Sequence, residues 1–257
     1  MSRTRESEVL KINFYPTEER TKLAFKLGEV DRVEDLISPT PLNEWGVFEL
    51  EKKTNLGQFV AIFLNNTNET FKDNKQLRQA LSYATNKNPF EGVRAISPMA
   101  PYSWAFNPQV KTYDYDEERA KELLDELLKD GKEISIKLST TPALLPVAEK
   151  VISDWKKVGI NASVQVVSAI PDEYQAFLAI YDIPPDPDQY STWHSTQTGT
   201  NISHYVSPRI DKLLEDGRVQ LDFEERKKIY LDFQRFLLED APVIFLYHPV
   251  YYTINRK

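Results

Sequence analysis

Between Phe177 and Gln197 the chain reads FLAIYDIPPDPDQYSTWHSTQ, gathering Asp182, Asp186 and Asp188 with Tyr181, Tyr190, Trp193 and His194. Acids at this spacing can anchor a cation, because a partly desolvated ammonium needs a charged acceptor that a neutral side chain replaces poorly. The tyrosine and tryptophan rings beside them can stack on a flat or apolar ligand. Two carboxylates could also share acid and base roles in glycoside hydrolysis, which requires that their separation and pKa values diverge. Nothing in the spacing points to that divergence. The competing reading is structural: Asp186 and Asp188 cap turns ahead of a short helix, and the rings pack on the domain edge.

Elsewhere the chemistry is sparser. Trp104 sits with Tyr102 and Phe106 in an irregular stretch, 88–110. It is either a ligand wall or satellite core, and the same two readings stay open for Trp193. Trp155 falls on the apolar stripe of a helix and is core. His194, His204 and His248 lack the H-x-x-x-H type of spacing, so neither a metal nor a cofactor is expected. The absence of cysteine excludes disulfides, zinc thiolates and a cysteine nucleophile.

The elements that must position the acids follow from pattern. Phe177 to Asp182 is an apolar strand that cannot continue past Ile183, because Pro184, Pro185 and Pro187 lack the amide proton and fix φ. The turn at 184–188 should face solvent, and a short helix should start near Asp188. Phe59 to Leu64 (FVAIFL) is a strand buried on both faces. Glu133 to Leu138, Ala143 to Val158 and Asn161 to Val167 read strand, helix, strand within about 35 residues, a βαβ unit with two parallel strands.

Val9 to Tyr15 alternates as a strand before a helix capped by Thr17 and closed by Gly28; Glu29 to Ile37 is a second strand. Leu42 to Lys53 is expected to be helical. Asp73 with Gln76 forms a capping box, and a further helix starts at Asp114–Glu117 and closes at Asp130–Gly131. Ser207 with Pro208 opens a helix ending at Gly217, and Asp222 with Glu225 opens the last one. Val243 to Tyr247 and Tyr251 to Ile254 are closing strands. The class is α/β: a mixed sheet with a βαβ unit and flanking helices.

The sequence is 41% hydrophobic and 28% charged, with sixteen prolines against eight glycines. This balance suggests stiff loops and few phosphate-cradling turns, and no Gly-rich nucleotide motif is present. A net charge of −7 without a basic stripe argues against nucleic acid. No run of about 18 apolar residues exists, so no membrane insertion is expected. The first residues, MSRTRESEVLKINFYP, lack the apolar centre of a signal peptide.

Three segments, in order, resemble the extracytoplasmic solute-binding proteins of peptide-type ABC transporters, family 5. They are FLNNTNETFKDNKQLRQALSYATNK, PMAPYSWAFNPQVKTYDYDEERAKELLDE, and DPDQYSTWHSTQTGTNISHYVSPRIDKLLEDGR followed by EERKKIYLDFQRFLLEDAPVIFLYHP. Residues 9–37 also look like the family's strand–helix–strand with its Leu-x-x-Gly-Glu-Val-Asp turn. Members are roughly twice this long at about 150 residues per domain, and the loops after Asn86 and Val167 look shortened. The resemblance therefore implies the second lobe of a type II periplasmic-binding-protein fold, trimmed: residues 1–56 as a remnant of the first lobe with a connecting helix, and 57–257 as the ligand-binding lobe.

What the resemblance implies is a non-enzymatic, extracytoplasmic receptor lobe that meets a short peptide, or an oligosaccharide, and ABC permease subunits. Tyr181 falls where the family usually has Trp, and Asp182 or Asp186 would pair with the ligand amine, the choice between them open. Trp104, Tyr190 and Trp193 are the further ligand-binding candidates. An orphan interaction domain without ligand is the alternative, and self-association through the cleft-facing surface is a further expectation.

Overall fold

The computed structural model describes residues 10–46, 48–129 and 132–257. They fall into two units, Thr54–Pro249 and a smaller one formed by the residues up to Lys53 with Val250–Lys257.

The larger unit is built on β3 (Gln58–Leu64), the third strand of a six-stranded sheet ordered β4-β8-β3-β7-β5-β6. Its flanking strands are β4 (Val93–Arg94), β5 (Ser135–Thr140), β6 (Asn161–Val166), β7 (Ala176–Asp182) and β8 (Val243–His248). β3 runs antiparallel to both β7 and β8. Phe59 to Leu64 is buried without a break, as a strand covered on both faces requires. Because side chains alternate, Val60, Ile62 and Leu64 enter one core and Phe59, Ala61 and Phe63 the other.

The βαβ unit is present. β5 and β6 pair in parallel from Ser135↔Asn161 to Thr140↔Val166, bridged by α4 (Leu145–Lys157). Trp155 is wholly buried there, and its Nε1 donates to Thr85 Oγ1 at 2.9 Å, so the one polar atom of the ring is satisfied.

Helix boundaries differ from expectation where a better cap lies nearby. α2 (Lys75–Ala84) is capped by Asn74, whose Oδ1 accepts from Leu77 N at 3.0 Å, while Asp73 sits at φ 52 before it. α3 (Glu117–Asp125) begins at Glu117 but is capped by Asp116, not Asp114; the closure expected at Asp130–Gly131 lies outside the described residues. α6 (Pro208–Val219) is capped by Ser207 but runs past Gly217. Gly217 is there for closeness: a Cβ would stand 2.8 Å from the Tyr230 ring of α7 (Phe223–Asp240). Asp222 caps α7 as the pattern requires, accepting from Glu225 N at 3.0 Å.

The smaller unit holds a three-stranded sheet, order β1-β9-β2, from β1 (Arg32–Leu36), β2 (Phe48–Thr54) and β9 (Val250–Arg256). α1 (Glu18–Leu27) is capped by Thr17 and closed by Gly28 at φ 78, as expected. Three expectations are corrected here. Residues 10–15 form no strand, and Leu10, Ile12 and Phe14 stand exposed; alternation alone supplies no neighbouring edge to pair with. Leu42 to Lys53 is not a helix but a 3-10 turn, Leu42–Glu44, followed by β2, in which the period-two run FELE prevails. The chain end does not stay with the second lobe of the expected 1–56 and 57–257 division. β9 pairs with β1 from Arg32↔Asn255 to Leu36↔Tyr252 and buries Tyr252 and Ile254 against Phe25 and Leu42.

Candidate functional site

β7 carries its apolar run between the two cores and ends at Asp182, opposite Gln58 at the start of β3. Gln58 Nε2 donates to Asp182 Oδ1 at 2.6 Å, and the Gln58 carbonyl accepts from His248 Nδ1 at 2.6 Å. Burial lowers the His248 pKa, opposed by that hydrogen bond, so a neutral imidazole holds the strand carrying Gln58. Asp182 is thus exposed and met by a neutral amide. Ile183 N still donates to Gly57 O at 2.8 Å, and at Pro184 the pairing stops.

Beyond it the acids cap turns. Asp186 Oδ1 accepts from Asp188 N at 2.9 Å, and Asp188 Oδ1 accepts from Tyr190 N at 3.0 Å at the start of the single-turn helix α5 (Tyr190–Trp193). Each acid also meets an arginine: Asp186 with Arg226 Nη2 at 2.8 Å, and Asp188 with Arg218 Nε at 3.0 Å. Partial burial resists ionisation of Asp186, but Arg226 and the Asp188 amide outweigh it and hold this carboxyl below the usual range. Turn capping and charge pairing therefore coexist in the same side chains.

Arg226 is fixed from several sides. Its Nε donates to Gly217 O at 2.9 Å, and its guanidinium lies 5.5 Å from the Trp104 ring centre and 5.3 Å from that of Tyr230. Trp104, half-buried, packs on Phe223 at 4.7 Å. Asp186 and Trp104 are thereby brought together through one guanidinium. Tyr181 stacks on Phe59 at 5.5 Å with its hydroxyl 2.9 Å from Thr192 Oγ1; burial raises its pKa, and the ring stays neutral.

Two candidates are not ligand walls in this arrangement. Trp193 is 1% exposed, stacked on Phe63 at 6.3 Å with Nε1 donating to Gln189 Oε1, and is core. Tyr190 is half-buried and its ring is already engaged, stacked on the His194 ring at 4.1 Å with the Arg218 guanidinium 4.4 Å from its centre. Along α6, Asp211, Glu215 and Arg218 share one helix face by spacing. Asp211 receives Ser195 N at 2.9 Å, Glu215 lies 3.4 Å from His194 Nε2, and Arg218 meets Asp188.

Gln58, Arg218 and Arg226 are the site neighbours that sequence reading missed. Pairing FVAIFL with FLAIYD would have placed Gln58 opposite Asp182. The two arginines carry no such signal, being ordinary polar residues at helix ends. Among the described residues no group of three or more His, Cys, Asp or Glu could hold a metal ion, and no helix is long and apolar enough to cross a membrane.

Comparison with known proteins puts this geometry in context. The sequence model for "Bacterial extracellular solute-binding proteins, family 5 Middle" matches residues 6–201. The dipeptide-binding protein of Escherichia coli K12 is 29% identical over 212 residues, 72% of this chain and 39% of that protein. Heme-binding protein A of Haemophilus influenzae is 28% identical over 226 residues, 78% of this chain and 41% of that protein. The chain thus spans about two fifths of the length of these relatives. Among solved structures, NikZ from Campylobacter jejuni with Ni(L-His) superposes with a TM-score of 0.83 at 26% identity, covering 93% of this chain and 54% of that one. The oligopeptide-binding protein AppA from Bacillus subtilis with a nonapeptide gives 0.82 at 26%, covering 95% and 55%.

Proposed function

The chain belongs to the bacterial extracellular solute-binding proteins of family 5, and from that premise we propose that it holds a short peptide by its amino end at Asp182. Its fold is the mixed α/β architecture of type II periplasmic binding proteins, and the family is one of receptors, not enzymes. The ligands named for these relatives range over dipeptide, nonapeptide, heme and Ni(L-His). Membership alone therefore names no ligand, and the local chemistry has to decide.

One observation carries the reading: of the three acids at the end of β7, Asp186 and Asp188 meet arginines, whereas Asp182 is met by the Gln58 amide. A ligand ammonium gains a charged acceptor at Asp182 without displacing a guanidinium. Trp104 and Tyr181, half-buried at the edge of the aromatic core, are the ring surfaces closest in type to what a peptide side chain would use. Extracytoplasmic placement and delivery of the peptide to ABC permease subunits belong to the same proposal. Binding by this chain measured by itself should be weak, because an exposed carboxylate encloses little of a ligand.

Calorimetry with Ala-Phe and with N-acetyl-Ala-Phe tests the proposal. Saturable heat for the free amine and none for the acetylated peptide is the expected result. Equal binding of both, or of neither, removes Asp182 as an amine anchor.

A further inference from the structure

Asp182, Asp186 and Asp188 leave β7 within seven residues, yet the turn does not present three open negative charges. Arg226 and Arg218 answer the second and third at 2.8 and 3.0 Å. Both arginines come from the junction of α6 and α7, Arg218 from the last turn of one helix and Arg226 from the first turn of the other. Gly217 lets the helices close at Tyr230, and its carbonyl receives Arg226 Nε. Arg226 is further held over the Trp104 and Tyr230 rings, so it cannot swing aside without losing all of these contacts. Arg218 covers one face of Tyr190.

We propose that Arg218 and Arg226 are specificity-determining residues, which admit ligands carrying a single ammonium and turn away ligands with a second cationic group beside it. The proposal rests on the amine-anchoring reading of Asp182. Its physical basis is charge placement. With both arginines in place a second ammonium approaching the turn meets guanidiniums whose carboxylates are already engaged, and like charges repel. Replacing both by neutral residues leaves three carboxylates with no arginine among them, a binding surface suited to dications.

The test compares the dissociation constants of Ala-Phe and Lys-Phe for wild type, Arg218→Gln, Arg226→Gln and the double variant. Wild type should favour Ala-Phe. Each substitution should shift the ratio toward Lys-Phe by about threefold, and the pair by about tenfold, the scale of exposed ion pairs. The shift should shrink as salt rises from about 0.01 to 0.15 M. Arg226→Lys, which keeps the charge, should leave the ratio near that of wild type. An unchanged ratio in the double variant overturns the selectivity role while leaving the anchor at Asp182 standing.

If wild type binds neither dipeptide, the anchor reading fails, and putrescine then tests the arginines independently. Amide chemical-shift changes at 182–190 confined to the double variant support the role. Equal changes in both proteins, or none in the double variant, defeat it. Should the double variant fail to fold, Arg218→Gln carries the ratio measurement by itself, since that side chain is half exposed and its loss opens no core.

Discussion

On one face of β3, Val60, Ile62 and Leu64 meet Leu77, Leu138, Val151 and Trp155; on the other, Phe59 and Phe63 meet Trp193, Tyr230, Phe233 and Phe245. The first face is covered by α2, α3 and α4, regular helices whose apolar stripes supply mostly aliphatic side chains. The second is covered by α6, α7 and two irregular stretches, and it is there that Trp104, Tyr181 and the acids gather. Aliphatic residues pack a regular layer because their only demand is volume. Tyrosine and tryptophan bring a hydroxyl or an N–H that needs a partner, so they suit a layer full of loop carbonyls, amides and charged groups. A ligand site made of rings and carboxylates fits that second layer and would be costly in the first.

The largest expected effect lies in the aliphatic face. Trp155→Ala removes a fully buried ring and leaves Thr85 Oγ1 without its donor. It should cost about 3–5 kcal/mol in urea unfolding. Peptide binding by the fraction still folded should be unchanged. Loss of affinity out of proportion to unfolding would mean the two faces are coupled more tightly than their separate cores suggest.

Gly217→Ala strikes the other face at the α6–α7 contact. The added methyl meets the Tyr230 ring at 2.8 Å, and overpacking of this kind should cost about 1–3 kcal/mol. Here stability and site should move together, because Arg226 depends on the Gly217 carbonyl. A variant as stable as wild type, with ligand selectivity intact, would show that the helices slide apart freely.

This contrast also explains what was legible in the residues. FVAIFL and the βαβ run announced β3, β5, α4 and β6 because period and length leave few alternatives for an aliphatic layer. The strand 177–182, its stop at Ile183 and the turn capping by Asp186 and Asp188 were legible through proline and aspartate chemistry. The pairing of those acids with Arg226 and Arg218 was not, since nothing local in the α6–α7 sequence points to residues 40 and 30 positions earlier. Trp193 and Tyr190 read as candidate walls because ring type says nothing about which faces are covered. In the smaller unit, β9 joined β1 and β2 through pairing that no single strand encodes.

Charge divides along similar lines. Lys87 is buried and Arg94 partly buried, and both are answered by backbone carbonyls: Ser82 O and Tyr113 O for Lys87, and Thr112 O, Phe245 O and Leu246 O among those for Arg94. Arg218 and Arg226, nearer solvent, are answered by carboxylates. Burial first, and then the neighbouring Arg94, push the Lys87 ammonium well below its ordinary range, opposed by Asp114 and Asp154. Between that lowered value and about 10.4 the unfolded chain binds the extra proton, so stability rises with pH. Above about 10 the sign reverses. Burial raises Tyr174 to about 12, so the unfolded chain loses that proton first. Melting temperatures across this range should therefore climb and then fall. Lys87→Met should lack the climb, and its persistence would place the titration elsewhere.

The smallest effect on stability and the sharpest on function should come from Asp182→Asn. The side chain is exposed, and its contact is the Gln58 amide at 2.6 Å, which asparagine can still meet through its carbonyl oxygen. Surface changes of this kind stay within about 0.5 kcal/mol. Amine-dependent binding, however, loses its charged acceptor and should weaken by about tenfold or more, the scale of a hydrogen bond to a charged group. Asp186→Asn provides the contrast, because it frees Arg226 from its partner and leaves Asp182 untouched. It should weaken Lys-Phe further and alter Ala-Phe little. If Asp186→Asn abolishes Ala-Phe binding while Asp182→Asn spares it, the ammonium displaces Arg226 from its carboxylate, and the anchor is the acid the arginine guards.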